Sequence, residues 1–212
     1  MKKIIAVVGM LAAGMLFADT TPIMVSLVTP VQAPSSDYDV TGLRLSLIYG
    51  DCEEFTGIDI GIVDHTGLDF TGLVLGGVNI ADGRLYGGQL GLVNWNGHHD
   101  RKWGRRSIGA QVGIFNYADT FCGLQDGIVN VTSRSFAGLQ SSFLNSTRDL
   151  TGLQCGAYFL LGVNMASGGI HGCQIGLVNY AERVDSGLQI GLVNIISEEG
   201  WLPVLPIVNG HF

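Results

Sequence analysis

The segment Gly187-Leu188-Gln189-Ile190-Gly191-Leu192-Val193-Asn194 is the clearest copy of a phrase that recurs along the chain about every fifteen residues. Most steps between the first residues of successive copies are 14 or 15 residues, and two are 22 and 20. Repetition at a short fixed period indicates one structural unit stacked on copies of itself. The ten copies begin at Gly42, Gly57, Gly72, Gly87, Gly109, Gly123, Gly138, Gly152, Gly172 and Gly187.

The phrase alternates large apolar residues with small or amide residues. Counting the first glycine as position 0, positions 1, 3 and 5 of the last copy are Leu188, Ile190 and Leu192, whereas positions 0, 2 and 4 are Gly, Gln and Gly. Alternation with period two predicts a β-strand. Two glycines in eight residues would each cost a helix about 1 kcal/mol. We expect the aliphatic side of this strand to be the buried one.

The rest of each unit predicts a corner and a short return segment. Asparagine recurs at position 7, where its tolerance of unusual backbone geometry and its local hydrogen bonding suit a corner. A second apolar residue usually lies two residues before the next glycine, and position 9 is often alanine, as in Ala81 and Ala118. The predicted inward-facing residues of the return segment are Phe55, Phe70, Leu85, Phe121, Phe136, Leu150 and Ile170.

Two all-β architectures can use this unit. In a β-solenoid each unit of about 15 residues is one full coil, and the Gln and Asn side chains form ladders from coil to coil. In an up-and-down β-barrel of about 12 strands each unit is one strand and its turn, and the terminal aromatic Phe212 fits that alternative. The repeat length favours the solenoid, because a barrel would duplicate hairpins of about thirty residues. Pro203 and Pro206 would also remove hydrogen-bond donors from the strand that closes a barrel.

The first eighteen residues have the pattern of an export signal. Lys2 and Lys3 precede an apolar run from residue 4 to residue 17, and Ala18 is a small residue at the expected cleavage site. The run is short for a membrane-spanning helix, and a buried first element is the alternative. We therefore predict a signal peptide at 1–18 and one domain at 19–212, with an N-terminal cap at 19–41, repeats at 42–199 and a C-terminal cap at 200–212.

Composition narrows the class of function. The formal net charge of -7 argues against nucleic acid as a partner. The four cysteines form no C-x-x-C pair, so a zinc site is not expected, although an exported chain could form disulfides. The chain has no H-E-x-x-H, G-x-S-x-G or phosphate-binding loop motif. We predict a protein without cofactor or catalytic residue.

The step of 22 residues inserts a basic, aromatic loop from Trp95 to Arg106. Such a loop could bind an anionic partner, such as a lipid head group or a sulfated glycan. His98, His99 and Asp100 could instead hold a metal, and a solvated loop without a ligand is the third interpretation. The candidate binding residues are Trp95, His98, His99, Arg101, Lys102, Trp103, Arg105 and Arg106.

A second departure from the repeat is polar. Asp126, Ser141 and Cys155 occupy position 3 in three successive copies, where the pattern has a large apolar residue. If that side is buried, these residues are polar core candidates, and Asp126 should have a partner or a raised pKa. An open face at this point, or a contact between Asp126 and Ser141, is the alternative.

From about Gly42 to Phe212, the repeated G-L-Q-x-G-L-V-N units and the ending Gly200-Trp201-Leu202-Pro203 through Phe212 resemble a bacterial surface-repeat family known from spirochaetes and other diderm bacteria. The resemblance implies a place at the cell surface or outer membrane, with the periplasm as an alternative, and it implies no activity. We predict a non-catalytic, exported structural or adhesive protein whose partner is a surface glycan, a lipid or another envelope protein. A small outer-membrane barrel that could form a pore is the alternative.

Overall fold

The computed structural model describes residues 20–97, 106–157, 161–198 and 200–212. It is 85% strand, with no helix in these ranges. The predicted signal peptide at 1–18 lies outside them. The strands are β1 (Thr20–Val28), β2 (Val31–Ala33), β3 (Asp39–Cys52), β4 (Phe55–Thr66), β5 (Phe70–Ala81), β6 (Leu85–Leu90), β7 (Val93–Asn96), β8 (Ser107–Ser142), β9 (Leu144–Gly156), β10 (Val163–Ile175), β11 (Val178–Glu198) and β12 (Val204–His211).

Successive units lie above one another and run in the same direction. Strand β3 pairs in parallel with β4, β4 with β5, and β9 with β10, and the phrase glycines are register partners throughout, as Gly57 is with Gly72. The 36-residue β8 runs through three successive copies of the phrase. The result is a β-solenoid of about 11 turns with a spacing of about 15 residues. This confirms the predicted solenoid, whereas the barrel alternative requires antiparallel neighbours.

Each end of the stack has a strand of opposite direction. Residues of the predicted N-terminal cap form β1, which pairs in parallel with β3 and so adds one more coil, and β2, which is antiparallel to β1. In the predicted C-terminal cap, β12 runs antiparallel to β11. The edge strand β2 is three residues long and the edge strand β12 contains Pro206. Short edge strands and proline on an edge disfavour pairing with another chain.

The first glycine of each phrase is required by close contact between coils. All ten have φ between 121° and 155°, a range that side chains with a Cβ rarely adopt. A Cβ at Gly109 would lie 1.7 Å from the carbonyl oxygen of Gly87 in the coil before it. The same contact recurs at every copy, which explains why this position does not vary.

One wall of the interior is apolar, as predicted. The return-segment residues from Phe55 to Ile170 are at most 2% exposed, and so are Ala81 and Ala118 at position 9. In-register stacking puts like residues in contact: the rings of Phe55 and Phe70 lie 5.0 Å apart and nearly parallel. This column of anchors is the hydrophobic core of the rod.

The opposite wall consists of two hydrogen-bonded amide ladders. From Gln111 onward, each glutamine at position 2 donates to the glutamine of the preceding coil, beginning with Gln111 Nε2 to Gln89 Oε1 at 2.7 Å. Each asparagine at position 7 donates in the other direction, beginning with Asn79 Nδ2 to Asn94 Oδ1 at 2.8 Å. The ladders join Gln89, Gln111, Gln125, Gln140, Gln154, Gln174 and Gln189, and Asn79, Asn94, Asn116, Asn130, Asn145, Asn164, Asn179 and Asn194.

The prediction of which side faces inward was wrong. Gln189 is 0% exposed, whereas Leu192 at position 5 of the same copy is 66% exposed. The anchors already fill one wall, and the inward positions 0 and 4 are glycines packed against backbone and amide atoms, so the remaining space fits flat amide groups. Buried amides are tolerated because each finds a partner in a neighbouring coil.

Candidate functional site

The most extensive surface feature is an aliphatic face, defined as the outward side chains at positions 1, 3 and 5 of the coils. Parallel, in-register pairing aligns these residues in columns, so that Leu45, Ile60 and Leu75 are successive partners at position 3. All three are more than a third exposed. Side chains of one column therefore repeat at the interstrand spacing of about 4.8 Å.

The aliphatic face continues to both ends of the rod. Near the first coils, Val25 of β1 joins Leu45, Leu47, Ile60 and Ile62 around a shallow depression. Near the last coils, a second depression is lined by Leu177, Ile190 and Leu192 together with Ile207 of β12. The additional strands β1 and β12 thus extend the apolar surface rather than interrupt it.

The predicted polar run lies near the middle of this face. Asp126 is exposed and Ser141 is partly exposed, so their assignment as core residues was wrong. The reason is the inverted orientation of the strand, which points position 3 outward. Cys155 is buried, and burial raises the pKa of its thiol. All four cysteines, Cys52, Cys122, Cys155 and Cys173, are free thiols.

The structure describes only the ends of the predicted binding loop. Trp95 is partly exposed and stacks on Tyr117 of the next coil, with ring centroids 4.0 Å apart, and Arg106 is exposed. Asn96, by contrast, is buried and its amide donates to the carbonyls of Ala81 and Gly83. The other candidates, His98, His99, Arg101, Lys102, Trp103 and Arg105, lie outside the described residues.

A buried charged cluster at the N-terminal end of the amide ladders was missed in the sequence. Arg44 occupies the glutamine position of the first copy and pairs with Asp59, which occupies the same position in the second. Both are at most 1% exposed. Arg44 also donates to the His65 carbonyl at 2.7 Å and to the Cys52 sulfur at 2.9 Å. Its guanidinium lies 5.2 Å from the Phe55 ring centroid, where a cation–π contact adds stability.

Asp64 adds a second carboxyl group to this cluster. Burial and the neighbouring Asp59 carboxylate raise the pKa of Asp64 from 3.8 to about 7. One arginine cannot neutralise two ionised carboxylates, so holding a proton on Asp64 balances the charge of the buried group. The sequence carried a signal for this cluster, because Arg44, Asp59 and Asp64 occupy positions where most other copies have glutamine or asparagine.

On the surface beside this cluster, His65 bridges two aspartates from neighbouring coils. Its Nδ1 lies 2.7 Å from Asp51 Oδ1 and its Nε2 lies 3.1 Å from Asp82 Oδ2. The imidazole thus links side chains of three successive coils. Among the described residues, no three His, Cys, Asp or Glu side chains are grouped so that they could hold a metal ion.

Comparison with known proteins assigns no relative to this chain: no family model, curated protein or solved structure matches it. Within the described ranges, no helix is long and apolar enough to cross a membrane. The features that bear on function are therefore those of the rod itself.

Proposed function

We propose that this protein is an exported, non-catalytic element of a bacterial envelope with a structural or adhesive role. The observation that carries the proposal is the exposed aliphatic face along the coils. Contiguous apolar surfaces of more than a few hundred Å² are rare on monomeric soluble proteins and mark contact surfaces. A rigid rod with one such surface is suited to holding a partner along its length.

The sequence supports the location. The pattern of residues 1–18 is that of an export signal, and the repeat resembles those of envelope surface proteins of diderm bacteria. Binding of an anionic partner through Trp95–Arg106 stays a prediction from the sequence. The same holds for the choice among surface glycan, lipid and another envelope protein as the partner of the protein.

Fractionation of a diderm host that expresses the full-length sequence tests this proposal. We expect the protein in the envelope fraction, and we expect a matched form that lacks residues 1–18 to stay in the cytosol. Protease added to intact cells then separates a surface location from a periplasmic one. Recovery of the full-length form in the cytosol would show that the proposal is wrong.

A further inference from the structure

We infer that the aliphatic face is the interface between two copies of this chain, packed face to face as a homodimer. The inference rests on the proposed role of this face as a contact surface, and it names the partner. It follows from the size of the face, its period and its charge.

The size of the aliphatic face suits a stable dimer. About 11 coils at roughly 4.8 Å, with about 15 Å of strand across positions 1 to 5, give a face of about 800 Å². Two such faces in contact would bury about 1,600 Å² in total, within the range of about 1,200–2,000 Å² that specific, stable interfaces bury. A second copy is therefore large enough to cover the whole face.

The period of the face also favours a second copy. Sheets that pack face to face lie about 10 Å apart and interdigitate their side chains. Here in-register pairing, as of Ile58 with Leu73 and of Ile60 with Leu75, spaces the side chains of a column at about 4.8 Å. A second copy has the same spacing, so its side chains can fill the gaps between coils along the full length. A two-fold axis would make the same patch self-complementary.

Charge argues against a lipid surface as the occupant. Helices and loops that bind membranes place lysine and arginine beside their apolar side chains, where they attract anionic head groups. In the described coils, no lysine or arginine occupies positions 1, 3 or 5, and Asp126 is the one charged residue there. The formal net charge is -7. A second copy requires no such cations.

Sedimentation velocity of the protein expressed from the full-length sequence tests the inference. We expect a particle of twice the chain mass in detergent-free buffer. Replacing Ile60→Arg and Leu75→Arg places charges in the interface, and we expect dissociation to be favoured roughly 100-fold or more, because a buried unpaired charge is costly. The matched control is Glu182→Arg, which changes an exposed residue at position 10, outside the aliphatic face, and should leave the dimer intact.

Two results would overturn the inference. One is sedimentation of the unchanged protein as a monomer at about 100 µM, a concentration at which interfaces of this size are normally saturated. The other is flotation of monomeric unchanged protein with phosphatidylethanolamine–phosphatidylglycerol vesicles, which would make lipid the occupant. Circular dichroism of each variant should match the unchanged protein. A monomer that still fractionates with the envelope would refute the dimer and leave the proposed function intact. A dimer found in the cytosol would refute the proposed function and leave the dimer intact.

Discussion

Asp64 and Asn79 are register partners in adjacent coils, and within the described part of the chain neither Asn79 Oδ1 nor the Asp64 oxygens receive a hydrogen bond. Asn79 donates to Asn94, and this direction is kept along the whole ladder. The ladder position in the coil before Asn79, which Asp64 occupies, should therefore hold a hydrogen-bond donor. An ionised carboxylate has none, but a protonated one can donate through its hydroxyl.

Asp64→Asn should stabilise the fold. The new amide can donate to Asn79 Oδ1 and extend the ladder by one coil. Because an unsatisfied buried acceptor costs about 1–3 kcal/mol, we expect the free energy of unfolding to rise by up to that amount. Urea denaturation at pH 8 measures the gain. Asp37→Asn, in the exposed turn before β3, is the control and should change the free energy of unfolding by less than about 0.5 kcal/mol. A less stable Asp64→Asn variant would contradict this account of the ladder end.

The stability of the protein should fall as the pH rises from 5 to 8. Folding raises the pKa of Asp64 from 3.8 to about 7, so the folded state binds this proton more tightly than the unfolded chain. The resulting stabilisation is complete below about pH 4 and is lost as the pH rises through 7. Denaturation midpoints across this range should decline in the unchanged protein and decline less in Asp64→Asn. Parallel profiles for the two proteins would assign the pH dependence to other groups.

A pair of substitutions at adjacent residues tests the inverted strand. Gln140→Leu removes the amide that donates to Gln125 and accepts from Gln154, both at 2.7 Å. We expect a loss of about 2–4 kcal/mol in the free energy of unfolding, because the buried amides of Gln125 and Gln154 each lose one hydrogen bond. Leu139→Gln on the exposed face should cost less than about 1 kcal/mol, and both substitutions are measured by urea denaturation in the dissociated variant that carries Ile60→Arg and Leu75→Arg. Hydropathy alone predicts the opposite order.

The first glycine of the phrase should not tolerate alanine. In Gly109→Ala the new methyl group would lie 1.7 Å from the Gly87 carbonyl oxygen at a φ of 150°, so we expect a loss of about 3 kcal/mol or more. Gly88→Ala is the control, because position 1 points outward and its nearest neighbour is a flexible Leu73 methyl at 3.0 Å. Thermal denaturation of the two variants measures the loss of stability in each. Equal losses for Gly109→Ala and Gly88→Ala would refute the close-contact explanation.

Asp126→Leu should tighten the proposed dimer. The Asp126 carboxylate lies near mid-length of the aliphatic face, and desolvating it in an interface opposes association. Removing the charge should lower the dissociation constant about tenfold, which sedimentation equilibrium can measure. Asp37→Leu, in the turn before β3, is a control for added hydrophobicity. An unchanged constant for Asp126→Leu would mean that the two copies do not overlap at the centre of the rod.

Local pattern was sufficient to predict the strand, the coil length and the inward-facing anchors such as Phe70 and Phe136, because period and side-chain size are properties of neighbouring residues. It also predicted amide ladders. It missed Asn164, because the 20-residue step moves this asparagine away from its usual distance after Gly152. Asparagine was interpreted as a corner residue, whereas Asn79 and Asn194 lie within strands and serve the ladder.

The orientation of the strand depended on contacts between coils. Leu188 and Gln189 alternate in the same way whichever of them faces inward, and transfer free energies favour the leucine. The choice follows from hydrogen bonds between Gln189 and Gln174, fifteen residues apart in the chain, and from the contact of Gly187 with Gly172. An amide is stable in the interior only when identical coils stack above and below it. The repeat could therefore be recognised in the sequence alone. Contacts between stacked coils determined that the polar side of the strand faces the interior and the aliphatic side faces the surface.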